Sequence, residues 1–309
     1  MYSLDPSWYG IKRLVKNVAG YPPLNVLLVG ALRRLPVSAS LARLPVAAKE
    51  VKGRVGGIEY VLVRPDRCCI AKELFWGRGE RVKRDEQLSL ELFADLALDA
   101  DVVLDIGANT GVFSIIAALC NAAADVHAFE IVPEVYEILF KNVVRNDVAD
   151  RVACHYTGVG VEGFKMQVAS TLLAPSLPTS IASTSTLRRG EVGTRVGFRA
   201  LDRTCMAFAG DARILMKIDV EGTEASVFEG GWRSIARHKP RIVCEILVGV
   251  EGSNVLGKKL QSLGYHLYNI TAEGLRESDS LHAVKEHHDW LFCLESPEDL
   301  ERLTAVPIG

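Results

Sequence analysis

Three segments of the chain bring carboxylates to glycine turns or to the ends of apolar runs, where a ligand could meet them. The first is Asp105-Ile106-Gly107-Ala108-Asn109-Thr110-Gly111, which follows the apolar run 102–106. A turn at a strand's carboxyl end that opens a helix is the usual ligand position in an open α/β sheet. Gly107 lets the backbone approach a ligand with no Cβ in the way, and Gly111 lets the helix pack close to the strand. A dinucleotide fingerprint would carry a second glycine where Asn109 stands. Asp105, just before the turn, would repel a pyrophosphate and suits a cationic ligand better. The second segment ends at Glu130, after the apolar run 126–130. A carboxylate there can accept hydrogen bonds from both hydroxyls of a ribose, each worth ~1.5–3 kcal/mol at best.

The third segment is Lys217-Ile218-Asp219-Val220-Glu221-Gly222, followed by Glu245 at the end of the run 242–245. Side chains alternate along a strand, so Lys217 and Asp219 share a face and Lys217 can pair with Asp219 or a neighbour. Asp219, Glu221 and Glu245 form an acidic rim over one crevice. Such a rim can bind an ammonium or take a proton. It can also hold a divalent cation such as Mg through oxygen ligands, with Asp219 and Glu245 as the ligands if a cation is present. A ribose acceptor beside an anionic turn fits S-adenosylmethionine, which carries an ammonium and a sulfonium. Methyl transfer from a sulfonium is an in-line displacement, and the nucleophile must sit at ~3–3.5 Å from the methyl. An alcohol needs help at neutral pH, and a general base supplies typically ~10²–10⁴-fold. Asp219 and Glu245 are expected closest to the reacting hydroxyl; Glu221 is a further contact or a carboxylate stabilising a helix N-terminus.

The elements that must position these groups are legible as a pattern. Strands are expected at 58–63, 102–106, 126–130, 151–156, 214–220, 241–247, 265–270 and 290–294, the last two as antiparallel neighbours. Helices are expected over 87–98, from Val112, from Pro133, over 223–237, and after Ser253 as N-cap. Strand–turn–helix repeated with wholly apolar strands argues a doubly wound α/β sheet. Residues 1–57 form an extension cut by Pro6, Pro22, Pro23, Pro36 and Pro45 into short helices, able to mediate a homodimer, and 58–309 form the main domain. Residues 168–190, rich in Ser and Thr, are expected to make a surface excursion, possible flap included; Arg188 and Arg189 in it are expected in solvent.

Composition bounds the reading. The chain has 309 residues, with Lys+Arg 36 against Asp+Glu 38, so no field is available to hold a polyanion and nucleic acid is not an expected partner. Seven cysteines without CxxC spacing argue against a zinc site or disulfide framework and for a reducing cytoplasm. The apolar run 26–32 is too short to span a membrane, and although Lys12, Arg13 and Lys16 precede it, Pro22 and Pro23 argue against a signal peptide.

The segments 102–115, 127–146, 199–202, 217–231 and 241–246 together resemble the FkbM family of S-adenosylmethionine-dependent methyltransferases, over roughly residues 80–295. The resemblance implies a seven-stranded Rossmann-like methyltransferase sheet of order 3-2-1-4-5-7-6 with its last strand antiparallel. It also implies O-methylation of a hydroxyl on a small-molecule or carbohydrate substrate: a sugar, glycan or secondary metabolite. By resemblance, Asp105, Gly107, Ala108, Asn109, Thr110 and Gly111 surround the methionine part of the cofactor with Asp219, and Glu130 takes the ribose. Ile131 packs on the adenine, and Thr157, Gly158 and Val159 lie along it. The loop His287-His288-Asp289 would stand near the crevice rim, where a histidine could act as base, although a solvated pair is the plainer reading. The competing readings are a nicotinamide-dependent oxidoreductase, which Asn109 and Asp105 disfavour, and a non-catalytic cofactor-binding scaffold, which the acidic rim disfavours.

Overall fold

A computed structural model describes residues 46–169, 193–247 and 252–309. Its centre is an eight-stranded mixed sheet built from β3 (Val102–Ile106), β4 (Asp125–Glu130), β5 (Val152–Tyr156), β9 (Ile214–Ile218), β10 (Arg241–Glu245), β11 (His266–Ile270), β12 (Leu275–Glu277) and β13 (Asp289–Cys293). Across the sheet the order is β12-β11-β13-β10-β9-β3-β4-β5. Read from the β5 edge, with β12 left out and these strands numbered in chain order, the order is 3-2-1-4-5-7-6; β12 makes the count one more than expected. It pairs antiparallel with β11, and its Leu275 also bridges Ile308 of the C-terminal segment. β3, β4, β5, β9 and β10 are mutually parallel, while β13 runs antiparallel between β10 and β11.

The strands read as apolar runs because both faces are covered. Every residue of β3 and β9 is buried. One face carries α2 (Arg84–Ala97), α3 (Val112–Cys120) and α4 (Pro133–Arg145), whose Leu88, Leu92, Ile115, Ile116, Leu139 and Val143 enter the core. On the other face Val227, Phe228, Ile235 and Leu260 pack against Leu104, Met216 and Ile242.

The expected helix over 223–237 is two helices, α6 (Glu224–Glu229) and α7 (Trp232–His238). The break falls at Gly230, where a Cβ would lie 2.1 Å from the carbonyl oxygen of Gly160; the passing backbone leaves no room for a continuous side-chain surface. The next helix, α8 (Ser253–Ser262), starts one residue earlier than expected, with Gly252 as N-cap at φ 95° and Ser253 inside the helix.

The boundary expected at residue 57 does not separate two units. It falls in the Gly56-Gly57 turn of a hairpin formed by β1 (Glu50–Val55) and β2 (Ile58–Val63), whose Val51, Val55, Tyr60 and Leu62 join the main core. Residues 50–55 are therefore strand rather than short helix, their inward positions alternating Val51, Gly53, Val55. A short helix α1 (Cys69–Trp76) follows. Residues 1–45 and most of the Ser/Thr-rich segment, Arg188 and Arg189 included, lie outside the described residues. Flanking that segment, β7 (Lys165–Ala169) and β8 (Gly193–Arg199) pair antiparallel, and β6 (Gly158–Val159) joins β8 in parallel. Among the described residues, no helix is long and apolar enough to cross a membrane.

Candidate active site

A cavity opens at the carboxyl ends of β3, β4, β5 and β9. Its polar wall is Asn109, Glu130, Asp219 and Glu221, and its apolar wall includes Ile131, Val132, Val135 and Phe198. Of the residues expected at the cofactor, Gly107, Asn109, Glu130, Ile131, Thr157, Gly158, Val159 and Asp219 line it, and Asp105, Ala108, Thr110 and Gly111 do not.

Asp105 is 1% exposed, and its Oδ2 accepts from the backbone N–H of Ser114 at 3.0 Å and the Ser114 hydroxyl at 2.5 Å. It therefore ties the end of β3 to the first turn of α3 rather than facing a ligand. Burial pushes its carboxyl up to about 6, against the Ser114 hydrogen bonds. Thr110 is likewise enclosed, its hydroxyl 3.2 Å from Cys68 Sγ and its carbonyl accepting from Asn142 Nδ2. Gly107 lines the cavity through its backbone, and the side where a Cβ would stand faces the segment after β9. A Cβ on it would lie 1.8 Å from the carbonyl oxygen of Asp219, so the vacancy is filled by the chain's own backbone. The Asp219 N–H completes the clasp by donating to the Ile106 carbonyl at 2.9 Å.

Glu130 is held by three backbone donors. Oε1 accepts from Ile131 and Val132 at 2.8 and 2.7 Å, and Oε2 from Asn109 at 2.9 Å. Two carboxylate oxygens offer about four acceptor positions, so acceptor capacity for a sugar hydroxyl is concentrated on Oε2. Burial nevertheless dominates and pushes this carboxyl up to about 7. Asn109 supplies its N–H from a left-handed backbone, φ 50°.

The three carboxylates cluster, but Glu245, expected with Asp219 closest to the reacting hydroxyl, does not line the cavity. Asp219, Glu221 and Glu245 each offer a carboxylate oxygen within 4.8 Å of the others. Only Asp219 and Glu221 line the cavity; Glu245 stands behind them, with Oε2 buried and without a hydrogen-bond partner. Burial and then the charge of Asp219 push the Glu245 carboxyl up, and the same two causes raise Glu221 to about 7. Glu221 adopts φ 53°, a left-handed conformation that costs a residue with a Cβ roughly 1–2 kcal/mol. Lys217 lies beneath the rim, 2% exposed, with Nζ 3.6 Å from Asp219 and 3.4 Å from Asp289. The sequence pattern anticipates the first contact; Asp289, seventy-two positions away, gives no local sign of the second.

Neither histidine of the 287–289 loop lines the cavity. His287 Nδ1 sits 3.2 Å from Asp85 of α2, and the His288 carbonyl accepts from Ile246. Ile70, Phe129, Val132, Val135, Phe198 and Thr223 line the cavity without being expected there. Ile70 comes from α1, which has no chemical signature, and Phe198 from β8, where the alternation Val196, Phe198 is the available signal.

An open α/β sheet with a crevice at the carboxyl ends of its strands, beside a glycine turn, holds its ligand at that crevice. The family model of the methyltransferase FkbM domain matches residues 105–267, more than half of the chain. Over 217 residues the chain is 32% identical to the 31-O-demethyl-FK506 methyltransferase FkbM of Streptomyces tacrolimicus, covering 61% of this chain and 78% of that one. Among solved structures, a methyltransferase FkbM from Methylobacillus flagellatus KT aligns at 16% identity and TM-score 0.41 over 63% of this chain, which spans 44% of that structure's length. A SAM-dependent O-methyltransferase from Thermotoga maritima aligns at 14% identity and TM-score 0.38, over 82% of this chain and 77% of that one. The chain belongs to the FkbM family of S-adenosylmethionine-dependent methyltransferases.

Proposed function

We propose that this chain is an O-methyltransferase that methylates a hydroxyl of a sugar, glycan or secondary metabolite. The observation that carries the reading is the polarity of the cavity, with Glu130 and the apolar wall of Ile131, Val132, Val135 and Phe198 on one side and Asp219 and Glu221 on the other. The apolar wall suits an adenine and Glu130 a ribose hydroxyl; the acidic side suits an ammonium and a sulfonium. Bound there, S-adenosylmethionine would supply an electrophilic methyl. Asp219 then faces the donor, and Glu221, with its carboxyl near neutrality, can take the proton an alcohol loses as its oxygen bonds to carbon. Glu245, behind the rim, supports Asp219 and Glu221 rather than touching the acceptor. The Streptomyces relative acts, by its name, on 31-O-demethyl-FK506, a compound with a methyl missing from an oxygen, which agrees with a hydroxyl acceptor.

The test is calorimetric titration with S-adenosylhomocysteine and, separately, NAD. Micromolar binding of the first and none of the second is expected; the reverse would replace the reading with a nicotinamide enzyme. Incubation with radiolabelled S-adenosylmethionine and hydroxyl-bearing acceptors, 31-O-demethyl-FK506 among them, tests the transfer itself. The oxygen trio of Asp219, Glu221 and Glu245 is a donor set of the kind Mg takes. Lys217 already supplies positive charge to Asp219. Dialysis against EDTA is therefore expected to leave turnover unchanged, and loss restored by Mg would assign the trio to a cation.

A further inference from the structure

Lys217 is the one charged residue among the largest fully buried side chains of the described residues. Its strand, β9, lies between β3 and β10, opposite Asp105 on one side and Val243 on the other. The ammonium has Asp289 of β13 at 3.4 Å, Asp219 beyond the end of β9 at 3.6 Å, and the Phe113 ring of α3 with its centroid at 5.2 Å. Glu245 on β10 and Asp105 on β3 also act on it electrostatically. Burial alone would favour loss of the proton; Asp289, Asp219 and Glu245 outweigh burial and keep the group charged. Partial burial opposes the ionisation of Asp289, and Lys217 outweighs it and holds the carboxyl ionised. A buried charge is tolerated when paired in this way, and removing one partner leaves the other uncompensated. The arrangement has a direction. Asp219 lies on the cavity wall, whereas Asp289 does not line it.

We propose that Lys217 is a positioning residue for the donor end of the cavity: clamped between Asp289 and Asp219, its ammonium fixes the Asp219 carboxylate at the wall and cancels part of the negative charge there. This rests on the reading that S-adenosylmethionine occupies the cavity with its sulfonium toward Asp219. The consequence is chemical. Methyl transfer turns a cationic sulfur into a neutral one, so an uncompensated acidic wall would hold the reactant more tightly than the transition state. Lys217 reduces that unproductive grip and narrows the difference in affinity between charged donor and neutral product.

The experiment measures Kd for S-adenosylmethionine and for S-adenosylhomocysteine by calorimetry, with thermal melting in parallel, and needs no acceptor. Its variants are Lys217→Met, Asp289→Asn, and the two combined. In Lys217→Met the preference for the donor over the product is expected to rise roughly tenfold, as one positive charge is lost near the sulfur, with a lowered Tm. In Asp289→Asn the preference is expected to fall, since the charge of Lys217 is then offset less by β13 and acts more on Asp219. The double variant removes the buried pair and leaves Asp219, whose side chain is 37% exposed, without its lysine; it is expected to recover much of the Tm while keeping a raised preference. Recovery of both Tm and the wild-type preference in the double variant would make Lys217 purely structural and overturn the proposal. So would an unchanged preference in a folded Lys217→Met. If the wild type binds neither nucleoside, it is the cofactor reading that fails, a different result from either.

Discussion

The Cβ that Gly107 lacks would stand 1.8 Å from the carbonyl oxygen of Asp219. The glycine turn after β3 and the acidic segment after β9 are thus one interlocked unit, closed by the Asp219 N–H on the Ile106 carbonyl. Gly107→Ala must push that backbone away or unwind the turn. Overpacking costs ~1–3 kcal/mol, and the left-handed φ of 83° adds roughly 1–2 kcal/mol for a residue with a Cβ. The variant is expected to lose several kcal/mol in urea denaturation and to lose S-adenosylhomocysteine binding. Gly197→Ala, where a Cβ meets nothing within 4 Å, is the control expected to keep both.

With S-adenosylmethionine bound as proposed, Glu130 is expected to make cofactor affinity depend on pH. With its carboxyl at about 7 in the free protein, it is mostly protonated at pH 6 and mostly ionised at pH 8. A ribose hydroxyl donates better to the ionised form, so S-adenosylhomocysteine should bind more tightly as pH rises through 7. The sign for stability is opposite. A folded-state value above the unfolded one means that the native state binds more protons, so this group's contribution falls as pH rises from about 4.5 through 7. Glu130→Gln is expected to flatten both dependences and to weaken binding by ~1.5–3 kcal/mol. A persisting pH dependence of binding in that variant would pass the effect to Asp105 or Glu221.

How far the residues announced this site depends on whether a role is local. The run 102–106 and the turn after it could be read because a strand buried on both faces is continuous apolar sequence, and the observed bounds coincide. Lys217 and Asp219 could be paired because alternation is local. The role of Asp105 is not legible because the partner that satisfies it, Ser114, lies nine residues on in the first turn of α3, and nothing in the type of either residue says which way the carboxylate points. The contact of Asp289 with Lys217, and Phe198 as a wall residue, are illegible in the sequence because long-range strand pairing, not spacing, brings them there. The hairpin over 50–63 was split at residue 57 because a helical reading was carried past Pro45 into a segment that alternates with a period of two.

Asp219→Ala is expected to abolish methyl transfer while the protein stays folded. Its side chain is more than a third exposed, so little packing is lost, whereas the wall loses the carboxylate that pairs with Lys217. Circular dichroism and melting should be near wild type, and product from radiolabelled donor should fall by at least ~10²-fold, the lower range for a group acting on a proton or a developing charge. Turnover within a factor of a few of wild type would remove Asp219 from the chemistry.

Asn142, fully buried on α4, joins the hairpin to the glycine turn after β3. Its Oδ1 accepts from the Val63 N–H at 2.7 Å, and its Nδ2 donates to the Thr110 carbonyl at 2.8 Å. Asn142→Ala leaves a backbone donor and a backbone acceptor unpaired, each costing ~1–3 kcal/mol, and is expected to weaken both folding and S-adenosylhomocysteine binding. Asn142→Asp can still accept from Val63 but cannot donate to Thr110 when ionised, so it separates the two halves of the link. Asn146, one turn on, bonds only the hairpin and its own helix, accepting from the Val61 N–H and donating to the Val61 and Asn142 carbonyls. Asn146→Ala should therefore lower stability to urea by a comparable amount and leave the nucleoside Kd where it was. Equal loss of binding in both alanine variants would mean that the hairpin as a whole, not the Thr110 contact, holds the turn in shape.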